Sequence, residues 1–310
     1  MSRLEVIRRQ WLISPWSLSL IAMDPTVGIA AFEAQRPRLT RLAYRMLGSV
    51  SEAQDVVQDA WLRWDKGGEG VADLEAWLVR VTSRLCIDRM RSAKSRREVY
   101  RGPWLPEPLI EELTEDPLER AEDVSVAFLL ALERLSPLER AVFLLHDVFD
   151  ADYAEVAQTL SRSESTVRQL ASRARAHVQD KRPRYTVSQD EATRLATAFM
   201  TAAAQGDMSA LTAVLTQDAV LITDGGGKRN AALRPMVGVE DIFRLLEGLA
   251  WRGSEVWSPS FRAVRINGYP GIILDREDGP MTVAFQPGSI GKLAGIYMVR
   301  NPDKLGHLVR

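Results

Sequence analysis

The sequence predicts a multidomain chain in which two all-α blocks are followed by an α+β domain. Three observations carry this. Apolar residues recur at helical spacing through most of the chain up to Pro183. A proline-rich acidic stretch, GPWLPEPLIEELTEDP from Gly102 to Pro117, interrupts that helical pattern. After Pro183 the composition changes, and turns alternate with β-branched runs such as AVLIT, FRAVRIN, GIILDR, MTVAF and LAGIYMV.

The first block runs from about residue 30 to 101. In RLTRLAYRMLG the set Leu39, Leu42, Ala43, Met46 and Leu47 forms one helical face, and Gly48 supplies the stop. Ser51 and Gln54 read as a capping box opening a second helix. That helix turns Val56, Val57, Ala60, Trp61 and Trp64 inward and leaves an acidic, polar stripe of Asp55, Gln58, Asp59 and Arg63. A third helix from near Asp73 carries Leu74, Trp77, Leu78, Val81 and Leu85 on one side. Residues 102–120 read as a linker, in which Trp104 and Leu105 are too large and apolar for a solvated segment and are expected to dock on another domain or to cluster locally.

The second block covers residues 121–183. Ser136, Pro137 and Glu139 combine an N-cap, a first-position proline and a capping-box partner. Two short apolar faces follow, Val156, Ala157, Leu160 and then Val167, Leu170, Ala174, with a polar turn at Ser161–Ser163 between them. This is the form of a helix-turn-helix, whose second helix carries Arg168, Gln169, Ser172, Arg173 and Arg175. Residues 184–310 read as the α+β domain, with helices capped at Ser188 and Asp207, another helix over about 239–249, and a curved antiparallel sheet.

A net charge of −1 gives no hint of a polyanionic partner, but its distribution does. From Arg80 to Arg101 eight Lys or Arg oppose two acids, from Glu107 to Asp123 eight acids oppose one Arg, and from Glu164 to Arg184 six cations oppose two acids. Two basic segments flanking an acidic linker suit two nucleic-acid contacts, or two solvated basic helix faces. One cysteine and three scattered histidines offer neither a disulfide framework nor a zinc-type cluster, and no metal or nucleotide cofactor is expected. Residues 1–29 form an extension whose arginines and WLISPWSLSLIA resemble a secretory signal, while Met23 offers an alternative start. The run is too short to span a bilayer, and a cytoplasmic protein is expected.

TDGGGKRNA at 223–231 poses the question of a phosphate cradle. A P-loop needs a glycine where Ile222 stands and Ser or Thr where Arg229 stands, and a dinucleotide fingerprint needs glycine at Asn230. The spacing excludes both motifs, leaving a flexible turn or a place where backbones approach closely.

Residues 31–182 resemble an extracytoplasmic-function sigma factor of bacterial RNA polymerase. SVSEAQDVVQDAWLRW is similar to the region 2 helix that grips the polymerase clamp, AWLVRVTSRLCIDRMRSAKSRREVY to the part that melts and reads the −10 element, and LSPLERAVFLLHDVFDADYAEVAQTLSRSESTVRQLASRARA to region 4, which reads the −35 element. The remainder resembles a SnoaL-like domain of the cystatin-type cone fold. The signatures of a subgroup fusing these parts stand as WLPEPL at 104–109, DGGGK at 224–228 and NPDKL at 301–305.

The resemblance implies core RNA polymerase, through its β and β′ subunits, and promoter DNA as partners, and no enzymatic activity. It implies a polymerase contact at Asp55, Gln58, Asp59 and Leu62, and phosphate contacts from Arg80, Arg84, Arg91, Lys94, Arg96 and Arg97, with a loop near Thr82 to Asp88 receiving an unstacked base. Arg168, Gln169, Ser172 and Arg173 fall where a recognition helix meets the major groove. Trp104, Leu105, Pro106, Asp224, Gly225, Gly226, Gly227, Lys228, Asn301, Pro302, Asp303 and Lys304 are expected to form one regulatory contact system, with Lys228 near acids of the linker or sigma domains. SnoaL-like relatives include cyclases and isomerases, so a small-ligand pocket is a further option, with Asp224, Asp241, Tyr297 and His307 as proton-shuttle candidates.

Overall fold

The structure, a computed structural model, describes residues 25–67, 71, 73–98, 100–111, 124–178, 188–251, 261–288 and 291–308. The alternative starts at Met1 and Met23 lie outside the described residues, as do the side chains of Lys94, Arg96 and Arg97.

Three helices form the first block: α1 (Pro25–Leu47), α2 (Val50–Gly67) and α3 (Leu74–Glu98). The expected stop after α1 is made by Gly48, in the left-handed region at φ 68°, whose N–H bonds the Tyr44 carbonyl at 2.7 Å. Helix α2 begins at Val50, ahead of the expected Ser51 cap. Ser49 accepts from the Glu52 N–H, while Ser51 is drawn away because its N–H and hydroxyl both bond the Glu107 carboxylate. A second correction concerns Thr82 to Asp88, expected as a loop. It is continuous α3, in which Thr82, Ser83, Leu85, Cys86 and Ile87 are buried, because Val81 and Leu85 continue the apolar face of Leu74 and Leu78.

The second block contains α4 (Val126–Leu132), α5 (Pro137–Phe143) continued by a π turn at Leu144–Val148, α6 (Tyr153–Leu160) and α7 (Glu164–Val178). The capping box at Ser136 and Glu139 is present. A second one, Asp152 with Glu155, opens α6, and Ser161 at φ 52° closes it to set the turn of the helix-turn-helix.

Side chains from α1, α2 and α3 share a single hydrophobic core with those of α4 to α7. Phe32, Met46, Val56 and Leu78 lie in the same cluster as Phe128, Leu144, Val156 and Val167. Arg140 of α5 crosses this junction. It is 2% exposed, donates to the Met46 carbonyl at 2.7 Å, and is held by Glu133 at 2.7 Å.

The third block has α8 (Gln189–Gln205), α9 (Met208–Val214), β2 (Leu215–Asp224), β3 (Met236–Val237), α10 (Val239–Trp251), β4 (Phe261–Ile266), β5 (Tyr269–Leu274), β6 (Met281–Pro287), β7 (Leu293–Val299) and α11 (Pro302–Leu305). The linker adds a strand of its own, β1 (Ile110–Glu111), so the sheet order is β1-β4-β5-β6-β7-β2-β3. The expected all-antiparallel sheet is mixed, since β2 runs parallel to β7 while the other pairs are antiparallel. Alternation along the strands supplies two apolar faces. Ile272, Leu274, Val283, Phe285, Ile296 and Met298 face a core with α8 to α10. Ile266, Ile273, Ala284, Tyr297 and Val299 face a second core with Leu105 of the linker and Val126 of α4. The outer face of the sheet is thus covered by the linker and by the start of the second helical block.

Candidate interdomain site and nucleic-acid surfaces

The stripe on α2 is accessible. Leu62 is 41% exposed, an unusual position for a large aliphatic residue on a charged helix, and Asp55 and Gln58 are exposed beside it. Arg89 of α3 lies between Asp59 at 3.1 Å and Asp55 at 3.8 Å, so part of the acidic field is already compensated. On α3, Arg91 is exposed and pairs with Asp88 at 3.6 Å, whereas Arg80 is half-buried. Arg84 reaches across to the helix-turn-helix and donates to the Ser161 hydroxyl at 2.6 Å.

The second helix of the helix-turn-helix, α7, exposes Gln169, Ser172 and Arg173. Arg168 is also exposed, but its guanidinium lies 4.2 Å from the Tyr153 ring centre and pairs with Glu164 at 3.2 Å. Arg175 turns away, bonding Asp147 at 2.6 Å and the Tyr153 hydroxyl at 3.1 Å, which ties α7 to the rest of its block.

The three short motifs come together around Asp224, which is fully buried at the end of β2. Its carboxylate accepts from the Tyr100 hydroxyl at 2.5 Å, the Leu105 N–H at 2.9 Å, the Gly226 N–H at 2.9 Å and the Lys304 ammonium at 2.7 Å. Lys304 also donates to the Leu105 carbonyl and lies 4.3 Å from the Trp104 ring centre. The Asp224 carbonyl accepts from the N–H groups of Arg300 and Asn301 at 2.7 and 3.0 Å. Burial pushes the Tyr100 phenol above its ordinary range, and its hydrogen bond to the Asp224 carboxylate pushes the same way.

Each glycine of the loop has its own reason. A side chain at Gly225 would strike the Arg229 carbonyl oxygen, so this is a true close approach of backbone to backbone. Gly226 and Gly227 are left-handed at φ 63° and 71°, and a side chain at Gly226 would enter the Asn301 carboxamide. Asn301 in turn caps α11, which begins at Pro302, through the Asp303 N–H, and it donates to the Tyr100 hydroxyl at 2.9 Å. Leu105 is fully buried against the sheet, Pro106 is buried beside it, and the Trp104 indole covers Gly48.

Lys228 requires a correction. Its partner is Asp303 of the tail, at 2.7 Å, and not an acid of the linker or of the two helical blocks. Both side chains are more than half exposed, so this pair contributes little, and the buried cation of the site is Lys304.

Sequence reasoning passed over four residues here. Glu107, inside WLPEPL, is 6% exposed and caps α2, accepting from the Ser49 hydroxyl at 2.8 Å and the Val50 N–H at 3.0 Å. Tyr44 donates to the Glu107 carbonyl at 2.8 Å, and burial raises its phenol above the ordinary range. Tyr100 and Asn267 complete the set. Glu107 was legible as the one acid of an otherwise uncharged motif, and Asn267 as the Asn-Gly of a hairpin.

An apolar groove of about 320 Å³ lies between α8 and β4–β5, bordered by Thr197, Thr201, Phe261, Ala263, Ile272 and Phe285. None of the proton-shuttle candidates borders it. Asp224 is committed to the interdomain contact, and Asp241 is held by Arg234 at 2.6 Å, whose guanidinium lowers its carboxyl to about 2. No helix among the described residues is long and apolar enough to cross a membrane.

Comparison with known proteins agrees with this geometry. A family model for sigma-70 region 2 matches residues 31–96, and one for sigma-70 region 4 matches residues 125–178. The chain is 38% identical over 289 residues to the ECF RNA polymerase sigma factor SigJ of Mycobacterium tuberculosis, covering 89% of this chain and 92% of that protein. It is 38% identical over 192 residues to the probable ECF RNA polymerase sigma factor SigI of the same species, covering 60% of this chain and 66% of that protein. The crystal structure of SigJ superposes with a TM-score of 0.74 at 35% identity, covering 90% of this chain and 98% of that one. The chain belongs to the ECF family of RNA polymerase sigma factors.

Proposed function

We propose that this protein binds core RNA polymerase and directs initiation at specific promoters, and that its C-terminal unit, read as a SnoaL-like cone domain, controls that step in cis. Asp55, Gln58, Asp59 and Leu62 would meet the polymerase. Arg80, Arg84, Arg91, Lys94, Arg96 and Arg97 would hold the −10 region, and Arg168, Gln169, Ser172 and Arg173 the −35 element. Phosphate contacts from such residues fix register, while base-edge contacts specify sequence.

The observation that carries the regulatory reading is the buried Asp224 carboxylate, which ties the linker between regions 2 and 4 to the loop and tail of the cone domain. On a promoter, elements centred about 25 base pairs apart lie roughly 85 Å apart at 3.4 Å per base pair. Here Arg84 of region 2 is hydrogen-bonded to Ser161 of region 4 at 2.6 Å, so this arrangement must open before both elements are read. A domain fastened to the linker can set how readily it opens.

Run-off transcription with bacterial core RNA polymerase tests both parts. The chain is expected to convert core enzyme into a promoter-specific initiator, and absence of a specific transcript contradicts the first part. Replacing Gly225, Gly226 and Gly227 together by alanine is expected to change the yield. An unchanged yield contradicts control in cis.

A further inference from the structure

Tips of β-hairpins normally face water, and the Asn267-Gly268 tip between β4 and β5 does not. Ile266 pairs with Tyr269, and Asn267 and Gly268 are left-handed at φ 52° and 79°, which makes this a two-residue turn of the mirror-image type that Asn-Gly favours. Yet Asn267 is fully buried. Its carboxamide donates to the Tyr44 hydroxyl at 2.6 Å and to the Val124 carbonyl at 2.9 Å, and accepts from the Leu109 N–H at 3.3 Å. Its own N–H donates to the Leu109 carbonyl at 2.9 Å.

These partners come from three parts of the chain. Tyr44 belongs to α1 of region 2, Leu109 to the linker, and Val124 immediately precedes Ser125, the N-cap of the first region 4 helix. Tyr44 leads on to Glu107, which caps the helix bearing the acidic stripe. The side-chain donors reaching Asp224 come from Tyr100, just before the linker, and from Lys304, in the tail, and its carboxylate seats the cone domain without bonding region 4.

We propose that Asn267 is the positioning residue through which the cone domain holds region 4 against region 2, and that its carboxamide must release Val124 and Tyr44 for the two regions to part. This rests on the reading of control in cis. The chemistry is specific to a carboxamide, because the site asks one side chain for two donors and one acceptor. Asn267→Asp is therefore the discriminating change. Asp-Gly supports the same turn, so the hairpin is kept, but a carboxylate offers no donor to the Val124 carbonyl and sets like partial charges against each other.

In the full chain, Asn267→Asp is expected to raise amide exchange of Phe128 and Leu129, in the first turn of α4, by about tenfold or more, equivalent to about 1.4 kcal/mol. Exchange within β5 to β7 is expected to stay as it was. Run-off transcription at limiting core polymerase is expected to rise several-fold, and Tyr44→Phe, which keeps the Val124 bond, to produce a smaller rise. Should Asn267→Asp disorder the sheet, Asn267→Gly keeps the turn without the carboxamide and carries the same expectation. Unchanged transcription with either hairpin-preserving variant, while Asp224→Ala changes it, overturns the role of Asn267 alone. Unchanged transcription for Asp224→Ala as well overturns the underlying reading of control in cis.

Discussion

Replacing Asp224 by alanine removes the one acceptor on which four donors converge. A hydrogen bond to a charged group contributes about 1.5–3 kcal/mol, and removing one partner of a buried ion pair costs about 3–5 kcal/mol. Not all of that is felt. The Lys304 side chain keeps 11% exposure and can swing toward water, and Tyr100 is only half-buried, so both recover part of their hydration. The Leu105 N–H cannot follow, since Leu105 is pinned at 0% exposure under the sheet. The expected loss is about 3 kcal/mol for the contact between linker and C-terminal domain. Urea denaturation combined with amide exchange at Leu105 measures it. A cycle with Lys304→Ala isolates the pair, for which a coupling of about 1–3 kcal/mol is expected. Lys228→Ala, which breaks only an exposed pair, is expected to change stability by less than about 0.5 kcal/mol and serves as the control. A loss below about 1 kcal/mol for Asp224→Ala, or zero coupling to Lys304, refutes the assignment of this carboxylate as the fastener.

Three further predictions follow from single contacts. Gly226→Ala forces a left-handed alanine and displaces the Asn301 carboxamide that caps α11, so a loss of about 1–2 kcal/mol is expected in the same denaturation assay. The Asp241 carboxyl, lowered to about 2 by Arg234, contributes stability that is present above its ordinary value of 3.8 and is lost as pH falls through about 2. Carboxyl NMR is expected to show its midpoint raised toward 3.8 in Arg234→Gln, with the Val237 N–H and Arg244 still holding it below that value. Arg173→Ala, on the exposed face of α7, is expected on the proposed reading of that helix to weaken promoter binding of the holoenzyme, and a fall of about one unit in the salt slope, read from binding isotherms over a salt series, distinguishes a phosphate contact from a base contact.

What was legible in the sequence divides along physical lines. Helix starts at Ser136, Ser188 and Asp207 were readable because capping is a local hydrogen-bond pattern. The helix-turn-helix was readable for the same reason, and the short motifs through family resemblance. Ser51 failed as a cap because a residue far along the chain, Glu107, competes for its donors. The parallel pairing of β2 with β7 was hidden because a β-branched run signals a strand without naming its neighbour. The shared core of regions 2 and 4 was hidden likewise, since an amphipathic face does not specify its partner. Thr82 to Asp88 looked like a loop through its family role, although Val81 and Leu85 kept the helical period. The spacing of the glycine loop departs from a phosphate-binding motif, but the choice of Lys304 over Lys228 as the buried cation depends on the fold of the tail. Asn267 carried only an ordinary hairpin signal, and nothing local marks a hairpin tip as buried.

The account stands most directly on the distance between regions 2 and 4. Spin labels at Arg63→Cys on α2 and Ala176→Cys on α7 report it by pulsed electron resonance, since both positions are exposed and the native Cys86 is buried. The free chain is expected to give one short, narrow distribution that lengthens by tens of ångströms on adding core polymerase and promoter DNA, and that broadens without them in Asp224→Ala. A distribution that is already long in the free chain, or that Asp224→Ala leaves unchanged, contradicts a C-terminal domain that fastens the two regions together.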